Sequence, residues 1–293
     1  MNRNPKPSAA ETAQTRSPSF KLAFDDPDFL LRDELRAVRL QLELMKPDLV
    51  LQDHDICSTI VVFGSARVPS PEEAECHCDA AEAALAKDPG NPDLQRELRV
   101  RRNQRDRCRY YEEARRFAHI VSKAAEATEE RDYVIMTGGG PGIMEAANRG
   151  ASEAGSITIG LNISLPHEQV PNPYITPELA FQFHYFALRK MHLLMRAKAL
   201  VVFPGGFGTF DELFETLTLI QTRKIEPMPV LLFGEEYWRR VVNFEAMVEE
   251  GVIAASDLDI FRFIETAEEA WTYIQAFNEP EPREPPMQRG APL

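Results

Sequence analysis

Short apolar runs rich in β-branched residues recur along the chain: Ser58 to Phe63, Tyr133 to Met136, Ile157 to Leu161, Ala199 to Phe203, Val230 to Phe233 and Ile260 to Phe263. Each has the length and composition of a strand buried on both faces. Most are followed by segments in which apolar residues return at helical spacing, namely Gly142 to Ala154, Thr209 to Thr222, Glu235 to Glu250 and Thr266 to Phe277. Strand and helix alternating in this way predict an α/β fold, a doubly wound parallel sheet with helices on both faces. Ligands in such folds sit at the carboxyl ends of the strands.

Two segments break the rhythm. Between Pro27 and Pro47 the residues Leu31, Leu35, Val38, Leu42 and Met45 mark one face of an amphipathic helix, which either docks on its own domain or meets another subunit. From Pro71 to about Tyr110 the chain is highly charged and helix-prone, interrupted by Asp88-Pro89-Gly90-Asn91-Pro92. That reads as an inserted helical hairpin with its turn at those residues. Its Arg-rich stretch from Arg96 to Arg109 reads as a solvated face whose arginines pair with neighbouring Glu. The expected organisation is a polar tail over residues 1–20, a helical extension over 21–57, the α/β domain over 58–277 and a Pro-rich tail over 278–293.

Composition narrows the partners. A formal net charge of -13 argues against broad binding to a nucleic-acid backbone, which depends on clustered Lys and Arg. No apolar run approaches the roughly 20 residues that span a bilayer, and no apolar signal segment opens the chain. Four cysteines, Cys57, Cys76, Cys78 and Cys108, are too few for a disulfide framework in 293 residues, so a reducing, cytoplasmic setting is expected. Cys76-His77-Cys78 is a poor metal motif because its two thiols diverge on a helix, and no metal or cofactor is expected.

The chemistry-bearing residues gather in two glycine-rich turns. Thr137-Gly138-Gly139-Gly140-Pro141-Gly142-Ile143-Met144-Glu145 follows a strand and opens a helix. Consecutive glycines let backbone N–H groups approach a ligand, and the helix start behind them favours an anion. It is neither a P-loop, lacking Lys-Ser or Lys-Thr, nor a dinucleotide fingerprint, lacking the third glycine. Pro204-Gly205-Gly206-Phe207-Gly208-Thr209-Phe210-Asp211-Glu212 repeats the arrangement, with the Thr209 hydroxyl available to an oxyanion.

Glu212 has two readings, as a functional carboxylate or as the reciprocal partner of a capping box formed by Thr209-x-x-Glu212. Thr266-Ala267-Glu268-Glu269 carries the same pattern without a glycine loop and reads as a cap only. Between the turns lies Arg189-Lys190 on a helical segment. Neighbouring side chains there diverge by about 100°, so only one of the two readily faces a pocket. Arg189 is chosen because its planar fork suits phosphate, ribose oxygens or a carboxylate. His184 and His192 flank that helix, either able to protonate a leaving base.

At these residues the sequence resembles the LOG (Lonely Guy) family of phosphoribohydrolases, which act on cytokinin riboside 5′-monophosphates and in bacteria often on AMP. The resemblance spans about Ser58 to Gln275 and rests on Phe63-Gly64-Ser65-Ala66-Arg67, the Gly138 turn, Arg189-Lys190 and Pro-Gly-Gly-x-Gly-Thr-x-x-Glu at Pro204 to Glu212. Members have often been labelled lysine decarboxylases, but no residue here argues for pyridoxal phosphate chemistry.

The resemblance implies a Rossmann-like fold and a homodimer with its active site near the subunit interface. It places the catalytic pair on Arg189 and Glu212 and the nucleotide-contacting loop on Gly205, Gly206, Phe207, Gly208 and Thr209. Gly64, Ser65, Thr137, Gly138, Gly139, Gly140, Gly142, Met144 and Lys190 complete the expected substrate and phosphate site. Cleavage of a ribosyl N–C1′ bond passes through an oxocarbenium-like state that a carboxylate can stabilise or relieve by activating water. The substrate that the resemblance implies is a purine nucleoside 5′-monophosphate, and Arg189 is expected to keep Glu212 ionised. The alternative is a carrier of the same fold that binds a nucleotide or cofactor without turning it over.

Overall fold

In a computed structural model the described residues are 12–126, 131–164 and 170–279. Most of the two expected tails, at 1–11 and 280–293, lies outside the described residues. The chain divides into two compact units, Met1–Pro47 and Asp48–Leu293.

In the first unit, a helix predicted from Pro27 to Pro47 is broken at its start. A short α1 (Pro27–Leu30) and a 3-10 turn at Asp33–Leu35 precede α2 (Arg36–Asp53). Arg39 Nη1 donates to the carbonyls of Leu30 and Arg32, at 2.7 and 2.6 Å, and so supplies donors that the broken helix cannot.

In the second unit, seven strands form one parallel sheet: β1 (Thr59–Phe63), β2 (Val134–Thr137), β3 (Ile159–Ile163), β4 (Ala180–Phe183), β5 (Ala197–Val202), β6 (Val230–Phe233) and β7 (Phe261–Ile264). Their order is β4-β3-β2-β1-β5-β6-β7. The order reverses between β1 and β5, the kind of switch point at whose carboxyl ends ligands bind in open α/β sheets.

The strand interiors are apolar on both sides. Ile60, Val62, Ile135, Ala199, Val201, Leu231 and Phe233 belong to a core packed on α5 (Arg109–Ala125), α6 (Ile143–Glu153) and α11 (Ala267–Asn278). The alternate positions Val61, Met136, Leu200, Val202 and Leu232 are equally buried, on the opposite side of the pleat. The other helices are α7 (Phe186–Met195), α8 (Phe207–Gln221), α9 (Glu235–Val241) and α10 (Phe244–Glu249).

Three elements depart from expectation. β4 escapes the search for continuous apolar runs because it alternates, with Phe181 and Phe183 buried and Ala180 and Gln182 exposed, as suits an edge strand. The helix expected from Glu235 to Glu250 is two, because the backbone turns extended at Val242 and Asn243 caps a new start by accepting from the Ala246 amide at 3.0 Å. α5 follows the inserted hairpin directly, its Tyr111, Ala114, Phe117, Ala118 and Val121 forming a buried stripe that the charged neighbourhood had obscured.

The hairpin itself forms as predicted, from α3 (Pro71–Lys87) and α4 (Pro92–Arg107), with Asn91 accepting from the amides of Asp93 and Leu94. Two of its arginines take neighbouring carboxylates, Arg102 with Glu82 at 2.9 Å and Arg101 with Glu97 at 3.3 Å. Cys76 is exposed and Cys78 buried on α3, on diverging faces.

Candidate active site

The three turns that follow β1, β2 and β5 are locked to one another. The Ser65 amide donates to the Pro204 carbonyl at 3.1 Å, and the Ile143 amide donates to the Ser65 carbonyl at 3.2 Å. Gly142 sits at φ 71°, and a Cβ there would come within 2.4 Å of the Ser65 carbonyl oxygen, so only glycine allows this approach. The predicted Gly64, Ser65, Gly138 to Gly142 and Gly205 to Thr209 are thus brought to one edge, at the switch point of the sheet.

Beneath the β2 turn lies a polar network. Thr137 Oγ1 donates to Asn148 Oδ1 at 2.7 Å and accepts from the Gly139 amide at 2.9 Å. Asn172 Nδ2 donates to the Gly140 carbonyl at 3.1 Å and to Asn148 Oδ1 at 2.9 Å. Asn148 Nδ2 donates to Thr158 Oγ1 at 2.5 Å. Thr137, placed among the binding residues by sequence, is fully buried with its hydroxyl engaged inside the fold, so it shapes the turn from below.

At the β5 turn, α8 begins with Gly206 as its N-cap, and the backbone bonds of the helix start at the Thr209 and Phe210 amides, which donate to the Gly206 carbonyl. That start decides between the two readings of Glu212. Thr209 is the third helical residue and Glu212 the sixth, so neither occupies a capping-box position, and no side chain caps this helix. The internal comparison behaves as expected: Thr266 Oγ1 accepts from the Glu269 amide at 3.3 Å and caps α11. A Cβ at Gly205 would lie 2.1 Å from Thr209 Oγ1, so the hydroxyl rests against the glycine backbone.

Arg189 and Lys190 diverge from α7 toward different acids of α8. Arg189 Nη2 lies 3.5 Å from Glu212 Oε1, while Lys190 Nζ reaches Asp211 at 2.7 Å and Glu215 at 2.9 Å. Lys190, expected at the substrate, is engaged by these two carboxylates. Burial works against its charge, but those bonds outweigh it and raise its proton affinity. The Arg189 fork also borders the β2 turn: a Cβ on Gly138 would lie 3.6 Å from its Nη2 and 3.0 Å from Met144 Sδ. Arg189 Nε is buried with no protein partner, as is Asn162 Oδ1 beside Gly139.

The electrostatics correct one expectation. Glu212 is 6% exposed, and burial pushes its carboxyl up to about 7 although Arg189, and behind it Lys190, pull the other way. Desolvation outweighs the opposite charge because the pair is not a close bidentate one. The same burial lowers the proton affinity of Arg189.

Other predicted residues are more peripheral. Phe207 stands almost wholly exposed at the start of α8. His192 is buried against the Phe183 ring, and His184 meets the Tyr185 ring edge-on. Among the described residues no group of three or more His, Cys, Asp or Glu could hold a metal, and no helix is long and apolar enough to cross a membrane. Sequence reasoning missed Asn148, Asn162, Asn172 and Tyr237, whose hydroxyl donates to the Gly205 carbonyl at 2.5 Å. Asn-Pro-Tyr at Asn172 to Tyr174 was the only local signal for any of them.

A family model described as possible lysine decarboxylase matches residues 144–274, which contain Arg189, the β5 turn and Glu212. Relatives include a probable cytokinin riboside 5′-monophosphate phosphoribohydrolase of Oryza sativa subsp. japonica, 27% identical over 54% of this chain and 74% of its own length. A second from that plant is 30% identical over 50% and 64%. A cytokinin riboside 5′-monophosphate phosphoribohydrolase of Arabidopsis thaliana is 29% identical over 46% and 63%.

These matches bear out the resemblance to the LOG family.

The chain spans 63% to 74% of the length of these relatives. Similar solved structures include a molybdenum cofactor binding protein from Rippkaea orientalis, with TM-score 0.41, 18% identity and coverage of 57% of this chain and 87% of that one. A Moco carrier protein from Chlamydomonas reinhardtii has TM-score 0.43 and 16% identity, over 75% and 96%. This chain carries the hairpin of α3 and α4 between β1 and α5.

Proposed function

We propose that this chain, which is similar to LOG phosphoribohydrolases, hydrolyses the N-glycosidic bond of a purine nucleoside 5′-monophosphate, AMP or a cytokinin riboside 5′-monophosphate, releasing the free base and ribose 5-phosphate. The observation that carries the proposal is the buried Arg189–Glu212 pair beside the Gly138 turn, with its carboxyl poised near 7 and the Arg189 Nε unspent. A carboxyl that titrates near neutrality suits proton transfer in water attack.

In this reading the first amides of α8 and the Thr209 hydroxyl take the phosphate, as a helix start between strands at a switch point is suited to do. Arg189 holds phosphate or ribose oxygens. Ionised Glu212 takes a proton from water, the water oxygen bonds to C1′, and the N–C1′ pair leaves with the base, which acquires a proton. Lys190 positions α8 by holding Asp211 and Glu215. The reading includes the family's homodimer, with twice the 33.2 kDa chain mass expected in sedimentation, and a cytoplasmic setting.

The test is incubation with AMP. Adenine and ribose 5-phosphate are expected in equal amounts, and their release is expected to fall by about 10²-fold or more in Glu212→Gln and Arg189→Ala proteins that retain the wild-type circular dichroism. Tight AMP binding without any base release in the wild type would instead make the chain a nucleotide carrier.

A further inference from the structure

The hairpin of α3 and α4 is inserted between β1 and α5, so it leaves the sheet at the carboxyl end of β1, the edge where the three turns meet. Its second helix returns to that edge. Gln104 Nε2 donates to the carbonyl of Arg67, in the turn after β1, at 3.3 Å. One helical turn on, the Arg107 guanidinium lies over the Tyr237 ring, 5.8 Å from its centroid, within the range where a cation is attracted to an aromatic face.

Tyr237 belongs to α9 and its hydroxyl is committed to the Gly205 carbonyl at 2.5 Å. Gly205 is the residue whose backbone carries Thr209 against it, so the position of that carbonyl sets both the glycine turn and the start of α8. The turn contains Gly206 and Gly208, neither with any neighbour within 4 Å of where a Cβ would stand. Left alone, such a segment has few contacts to fix its shape.

We propose that the hairpin is a buttress for the β5 turn: Arg107 holds the Tyr237 ring, and Tyr237 acts as a positioning residue that fixes the Gly205 carbonyl and so aims the first amides of α8. The consequence for ligand affinity rests on the reading of that turn as a phosphate site; the mechanical link does not. Tyr237 touches no reacting atom in this arrangement and acts through the loop alone. Gln104 ties the same helix to the β1 turn, so α4 is fixed to the two strands on either side of the switch point.

The experiment compares wild type, Tyr237→Phe, Arg107→Ala and, as a control in the same hairpin, Arg102→Ala, whose salt bridge to Glu82 stays within it. Amide hydrogen exchange is followed over residues 204–210, with and without inorganic phosphate, alongside KM and kcat for AMP. One neutral hydrogen bond corresponds to about three- to tenfold, and that acceleration of exchange is expected in ligand-free Tyr237→Phe. Arg107→Ala is expected to show about twofold and Arg102→Ala none. KM for AMP should rise by a similar factor in Tyr237→Phe, with a smaller change in kcat.

Wild-type exchange over 204–210 in both Tyr237→Phe and Arg107→Ala, in proteins of wild-type circular dichroism, overturns the buttress. Failure of phosphate to slow exchange in the wild type counts against the phosphate reading alone, because the ligand-free difference reports the buttress independently.

Discussion

Nη2 of Arg189 sits 3.5 Å from Oε1 of Glu212, yet the carboxyl keeps a proton affinity near 7. A cation at that distance would ordinarily hold a carboxylate ionised well below its usual range. Here the loss of water around Glu212 is the larger effect, and the two residues form a pair whose charge state changes within the physiological range.

Activity should report that change. If ionised Glu212 accepts the proton from water, kcat/KM for AMP rises with pH through about 7 and then levels. Glu212→Gln should lower kcat by about 10² to 10⁴-fold and abolish the rise. Arg189→Ala removes a charge that lowers the Glu212 proton affinity, so any residual activity should have its rise displaced to higher pH. A pH profile of base release checks both, and an unchanged profile in Glu212→Gln would rule out the assignment.

Stability should move in the opposite sense. Because the Glu212 carboxyl is raised in the folded state, the fold binds more protons than the unfolded chain between the ordinary carboxylate range and about 7. Its contribution is fully present below that ordinary range and is lost as pH rises through about 7. At pH ~8 the uncharged Glu212→Gln protein should therefore be more stable than wild type by about 1–3 kcal/mol, the difference closing near pH ~4. Urea denaturation at the two pH values measures it.

Neighbouring glycines in the β5 turn should respond unequally. Gly205→Ala drives a methyl into Thr209 and should cost about 1–3 kcal/mol, whereas Gly206→Ala meets open space and should stay within about 0.5 kcal/mol of wild type. Thermal denaturation separates the two. Equal losses would mean that the turn is not held against Thr209.

The two Thr-x-x-Glu segments give a further contrast. Thr266→Ala removes a cap bond and should cost about 1 kcal/mol. Thr209→Val removes no cap, so its stability loss should be the smaller, while its affinity for inorganic phosphate, measured by calorimetry, should fall.

Much of this was readable from sequence where one residue type at one spacing serves one physical need. The buried strands announced themselves as apolar runs, and the glycine turns as strand ends without side chains. The hairpin turn was marked by its Asp, Pro, Gly and Asn. β4 was not readable, because four alternating residues at a sheet edge resemble a loop. Glu212 was readable as special but not as a proton-holding acid, since its affinity follows from the burial that α7 and α8 create together. Tyr237 lay beyond reach for the same reason: its bond to Gly205 joins residues 32 positions apart, and nothing at either end signals it.

The hydrogen bonds joining Thr137, Asn148, Thr158 and Asn172 under the β2 turn have a thermodynamic consequence. They tie β2, α6, the Thr158 position before β3 and the Asn172 segment to one amide, and each donor or acceptor left bare by a slip would stand inside the protein without water. The turn above is consequently shaped by the interior before any nucleotide arrives. Little conformational freedom remains there for a ligand to remove, and the entropy of association is left mainly to displaced water and the nucleotide's own rotations.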